Sequence, residues 1–87
     1  MSGNLNNIKL EQLINAYLAS EVMKKPELGL KNDTPLLESG ILNSLSLIKL
    51  VLFLEQKLGI VVPPEELLPK NFETIDAICT YVRSKQP

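Results

Sequence analysis

Apolar residues in the first quarter of the chain recur at spacings of three and four: Ile8, Leu10, Leu13, Ile14, Tyr17, Leu18 and Val22. That period lays them along one stripe of an amphipathic helix over residues 8–23, with Lys9, Glu11, Gln12, Asn15 and Glu21 mostly on its solvated side. Asn6 or Asn7 is placed to cap it, which leaves residues 1–7 as a polar, flexible tail. The period then fails. Pro26, Gly29, the Asn32-Asp33-Thr34-Pro35 run and Gly40 interrupt residues 24–43, and so long a connection stays ordered in a small domain only if its own side chains pin it. Leu28, Leu30, Leu36, Leu37, Ile41 and Leu42 supply the pins, with one turn of helix expected over residues 36–39.

Residues 44–58 form the most apolar segment and read as a second helix, opened by Asn43 or Ser44 as cap and closed by Gly59. Leu47, Leu50, Val51, Leu54 and Leu58 make a stripe wide enough to face a core. Leu45, Ile48, Leu52 and Phe53 lie beside or opposite it, so the first three turns are apolar nearly all round. So small a domain cannot enclose such a helix on every side. Leu45 and Leu52, interleaved with Lys49 and Gln56, are therefore expected as a second, exposed stripe; the alternative is that they pack under the loop or the segment that follows. Ile60-Val61-Val62 is β-like but has no partner strand, and is expected as an extended connector. Pro63-Pro64-Glu65-Glu66-Leu67-Leu68 fits a single helical turn stopped by Pro69. A last helix begins near Thr74, with Ile75, Ile78, Cys79 and Val82 as its buried stripe to about Arg83. The expected fold is all-α, a small four-helix bundle of three long helices and one short one in a single domain of residues 1–87, with a long ordered loop between helices 1 and 2.

Composition narrows the chemistry. The aromatic share is 5 %, with no Trp, and the net charge is −1, so aliphatic helix packing is expected and no basic stripe for nucleic acid exists. No apolar run reaches the roughly 20 residues that cross a bilayer, and the N-terminal residues lack the apolar centre of a secretory signal, which points to the cytoplasm. With no His and one Cys, neither a zinc site nor a His-based catalytic arrangement can be assembled, and no metal-binding residues are expected. Cys79, on an apolar stripe, reads as a buried thiol.

Ser44 then stands out. A serine is a weak nucleophile without an adjacent base, so it is not catalytic here; it is either a helix cap or the substrate of another enzyme. A helix start favours an anion, because unpaired N–H groups and the positive end of the dipole meet there.

Thr34-Pro35-Leu36-Leu37-Glu38-Ser39-Gly40-Ile41-Leu42-Asn43-Ser44-Leu45, the leucine-rich helix ending in Leu58-Gly59-Ile60, and Asn71-Phe72-Glu73-Thr74-Ile75 together resemble the acyl and peptidyl carrier proteins over nearly the whole chain. The resemblance implies a bundle of acyl-carrier type, no catalytic activity of its own, and a 4'-phosphopantetheine arm on Ser44. A phosphopantetheinyl transferase using magnesium would attach the arm, which would carry substrates as thioesters. Asn43 stands where the family usually has Asp, and the second helix, with Lys49, Glu55 and Lys57, is not the acidic rod of fatty acid carriers. Leu45, Ile48, Lys49 and Leu52 are then the expected partner surface. Both departures resemble stand-alone aminoacyl carriers, and the Ile41-Leu42-Asn43-Ser44 run in particular resembles those that take proline from an adenylating ligase and present it to a flavin-dependent oxidase of acyl-CoA-dehydrogenase type. That implies an aminoacyl, prolyl-type carrier of a natural-product pathway; a monomer is expected. A carrier for fatty acid or polyketide synthesis, meeting a ketosynthase, is the alternative cargo reading. An unmodified helical interaction module is the alternative function.

Overall fold

The computed structural model describes residues 2–22 and 31–85. Helix α1 (Ser2–Tyr17) continues into one π-helical turn, Leu18–Val22. Its start corrects the expected one: Asn6 and Asn7 lie inside the helix, and residues 2–7 are helical in backbone where a tail was expected. In the sequence, Leu5 stands three residues before Ile8 and so continues the apolar spacing by a turn. Leu10, Ile14 and Leu18 are buried at successive turns, with Leu13 and Tyr17 half-buried beside them.

Residues 23–30, including the expected pins Leu28 and Leu30, lie outside the described residues. Leu36 and Leu42 anchor the rest of the loop, both buried in the core. The expected single turn is present: the Ser39 N–H donates to the Pro35 carbonyl at 3.0 Å and the Gly40 N–H to that of Leu37 at 3.2 Å. Backbone bonds stitch this loop to the far end of the chain, from Leu36 N–H to the Glu73 carbonyl (2.8 Å) and from Asp76 N–H to that of Asn32 (3.0 Å). The loop is thus held like a strap, its carbonyls and amides satisfied against a helix junction.

Helix α2 (Ser44–Leu58) buries Leu50, Val51 and Leu54, each worth about 1.5–3 kcal/mol relative to exposure. Phe53, on its flank, stacks on Tyr17 of α1 with ring centroids 4.2 Å apart and planes 23° from parallel. The helix ends at Gly59, whose φ of 67° is the left-handed position that glycine adopts without strain, and whose N–H bonds the Glu55 carbonyl. Ile60-Val61-Val62 is a connector outside any helix, as expected, and no strand is present among the described residues. The Val62 N–H donates to the Glu55 carboxylate at 2.9 Å, so the acid of α2 is turned inward onto the connector.

A 3-10 turn, Pro64–Glu66, precedes the short helix α3 (Pro69–Phe72). Pro69 therefore starts a helix where it was expected only to stop one. Both outcomes follow from its fixed φ and missing N–H, which suit the first helical position as well as they end a preceding turn. Phe72 plugs the core from α3. Helix α4 (Ile75–Lys85) is capped by Thr74, whose Oγ1 accepts the Ala77 N–H at 3.0 Å. It buries Ile75, Ile78, Cys79 and Val82, and also Tyr81. Burial pushes the Cys79 thiol up to about 11, so at neutral pH it is an inert core group. No helix among the described residues is long and apolar enough to cross a membrane, and no group of three or more His, Cys, Asp or Glu there could hold a metal.

Candidate functional site at the start of the second helix

The loop delivers the site. Gly40 turns the chain with φ 83°, Leu42 buries its side chain while its N–H bonds the Leu36 carbonyl at 2.9 Å, and the next residue, Asn43, meets the helix in extended conformation. Because the residue before Asn43 is fixed by the core, the position of α2's first turn is set by packing as well as by capping.

Asn43, and not Ser44, is the cap. Its Oδ1 accepts the Ser46 N–H at 2.9 Å, and the Ser46 hydroxyl in turn accepts the Asn43 N–H at 2.8 Å. This is a capping box in which serine replaces the usual Glu or Gln. The Leu47 N–H closes the first helical bond on the Asn43 carbonyl at 2.8 Å. Ser44 is exposed and, among the described residues, its hydroxyl has no hydrogen-bond partner. The N–H groups of Ser44 and Leu45 likewise find no acceptor there. A free hydroxyl sits beside two free amides at the positive end of a helix of 15 residues, an arrangement suited to an oxygen-linked anion.

Around this point the expected surface residues are exposed as anticipated: Leu45 by 63 %, Ile48 by 49 % and Leu52 by 50 %. Among the described residues nothing of the loop covers them. Lys49 is exposed on the same outer face and forms no ion pair among the described residues. An open recess of about 330 Å³ lies at the helix start, lined by Ile41, Asn43, Leu45, Ser46 and Lys49 together with Glu21 of the π-turn. Ser46 and Glu21 were absent from the sequence-derived site. Ser46 had a readable signal, a hydroxyl three residues after a cap; Glu21 had none, because its approach is tertiary.

Three comparisons bear on this geometry. A family model described as a phosphopantetheine attachment site matches residues 16–82. The chain is 30 % identical over 74 residues to a probable acyl carrier protein, PigG, of Serratia sp. (strain ATCC 39006), covering 85 % of each. It is also similar to a chain in the crystal structure of an FAD-dependent dehydrogenase, with TM-score 0.72 and 29 % identity, covering 78 % of this chain and 96 % of that one. A family match that runs from residue 16 to residue 82, across most of the helical bundle, places this chain in the family of carrier proteins that bear covalent 4'-phosphopantetheine.

Proposed function

We propose that Ser44 bears the arm and that this carrier holds an aminoacyl group, of prolyl type, as a thioester for partner enzymes of a natural-product pathway. One observation carries the assignment of Ser44: its hydroxyl is exposed and unbonded while its neighbour Asn43 does the capping. The residues present fit the group, since a phosphodiester on Ser44 would lie at the amides of Ser44 and Leu45, which have no acceptor of their own. When bound, the arm supplies a thiol that carries the cargo as a thioester. In the attaching step the Ser44 Oγ bonds to the phosphorus of coenzyme A nearest the pantetheine. The pyrophosphate P–O bond breaks to release 3'-phosphoadenosine 5'-phosphate, and the hydroxyl proton passes to a base of the transferase. The chain has no histidine to serve as that base, so the protein is a substrate in this step and not a catalyst.

Intact mass after incubation with coenzyme A, magnesium and a promiscuous phosphopantetheinyl transferase tests the assignment. A gain of one arm, lost in Ser44→Ala, is the expected result; no gain with several transferases overturns it and leaves an unmodified interaction module.

Partner and cargo rest on different support. The solved chain from the dehydrogenase structure is shorter than this one, since 78 % of this chain covers 96 % of it, which is the size of a carrier and too small for a flavin enzyme. A carrier-like chain accompanying a flavin dehydrogenase supports a partner of that class here, downstream of an adenylating ligase. The name of the Serratia relative favours acyl cargo instead. Offering the arm-bearing protein to adenylating ligases with ATP and a panel of amino and fatty acids separates the two. Exclusive loading of fatty acids sinks the aminoacyl reading and leaves Ser44 untouched.

A further inference from the structure

We infer that Ser46 is a positioning residue for modification at Ser44: it fixes which residue caps α2 and so keeps the Ser44 hydroxyl free. Asn and Ser are about equal as helix caps, so the adjacent pair Asn43 and Ser44 offers two helix starts one residue apart. What separates them is the residue three positions on. With Asn43 as cap that residue is Ser46, whose N–H and hydroxyl both engage: Ser46 N–H to Asn43 Oδ1 at 2.9 Å, and Asn43 N–H to Ser46 Oγ at 2.8 Å. The same hydroxyl lies 3.1 Å from Asn43 Oδ1 and 3.3 Å from the Asn43 carbonyl oxygen. With Ser44 as cap the corresponding residue is Leu47, which has no polar side chain to return a bond. The reciprocal contact therefore selects the first start. In the second, the Ser44 hydroxyl would accept a backbone N–H of the first turn, fixing its rotamer toward the helix axis and away from an approaching phosphorus. The inference rests on Ser44 being the modified residue, and it assigns to Ser46 a part in that reaction although Ser46 need touch neither coenzyme A nor the arm.

The test compares Ser46→Ala with Ser46→Thr and Ser46→Glu, which restore a reciprocal partner, at a temperature where all are folded by circular dichroism. Two readings are taken. On the unmodified protein, Hα–Hβ couplings and the Cβ shift of Ser44 report its rotamer; on the reaction, kcat and KM for coenzyme A are measured with the transferase. The expected result is a Ser46→Ala protein with altered Ser44 couplings and a kcat lowered on the order of tenfold, within the ~10²-fold that a misplaced reacting atom can cost. KM for coenzyme A stays unchanged, and Thr and Glu recover both readings. A Ser46→Ala protein modified at the parent rate overturns the inference. So does a slowed reaction with unaltered Ser44 couplings, which assigns Ser46 to docking of the transferase. Should the parent itself accept no arm, the reading of Ser44 fails and Ser46 is a helix cap alone.

Discussion

Asn43 and Ser44 are neighbours of similar capping strength, and their side chains do different work. Asn43 joins a box with Ser46 and satisfies amides that would otherwise be unpaired at the helix start; Ser44 bonds nothing among the described residues. Stability should register the difference. Asn43→Ala is expected to lower the unfolding free energy by about 1 kcal/mol, whereas Ser44→Ala should stay within about 0.5 kcal/mol of the parent, as an exposed substitution away from any bond. Urea titrations of the three proteins measure both. Equal losses would mean that the hydroxyl contributes to the cap. The sequence left this choice open, because the intrinsic preferences of the two residues tie and the tie is broken by a serine where the familiar box has an acid or amide. What the sequence does show of the hydroxyl is that the chain holds no histidine to activate it.

At the scale of the element, α2 faces two ways. Leu50, Val51 and Leu54 enter the core, while Leu45, Ile48 and Leu52 on the outer side stay about half exposed or more. The apolar excess of this helix was plain in its sequence, and so was the consequence that a small bundle cannot cover it. Less legible was the fate of its charges: Glu55 bonds the Val62 N–H, which leaves Lys49 as the charge between Leu45 and Leu52 on the outer stripe. Boundaries were the other weak point. The start of α1 and the double role of Pro69 depend on whether neighbouring turns are stabilised by packing, which spacing alone does not decide. If partners dock on the outer stripe, Leu52→Asp should slow transfer of cargo by the loading ligase on the order of tenfold, the cost of about 1.4 kcal/mol at an interface anchor. The half-exposed site should leave the melting temperature nearly unchanged. Unchanged transfer rates, with a melting temperature also unchanged, would remove Leu52 from the docking surface.

For the whole molecule, the closing contact is one that periodicity does not reach. Glu66, on the 3-10 turn, accepts the Tyr81 hydroxyl at 2.5 Å and the Lys85 ammonium at 2.9 Å, both at the same carboxylate oxygen, and its carbonyl accepts the Asn71 side-chain amide at 2.8 Å. Lys85 also stands 5.8 Å from the centre of the Tyr81 ring. These residues join the short turn and α3 to the end of α4, so that Phe72, packed against Tyr81 with ring centroids 5.4 Å apart, is held in the core from two elements. The Tyr81 hydroxyl first, and Lys85 after it, hold the Glu66 carboxyl below its ordinary value of 4.5; burial and the same bond push the Tyr81 phenol well above its own. The sign follows from linkage. A carboxyl whose folded value is depressed contributes stability that is present in full above 4.5 and is lost as pH falls through the folded value. Glu66→Gln should therefore melt below the parent at neutral pH, and the gap should close as pH is lowered beneath 4.5, where the parent's own carboxyl takes up its proton. Because Glu66 and Lys85 are partly exposed, with side-chain accessibilities of 36 % and 26 %, the gap at neutral pH should also narrow with added salt. Melting curves of the two proteins across that range decide the matter: a gap that persists undiminished in acid would show that glutamine disturbs packing at the turn, and that the ionised contact with Tyr81 and Lys85 adds nothing to the fold.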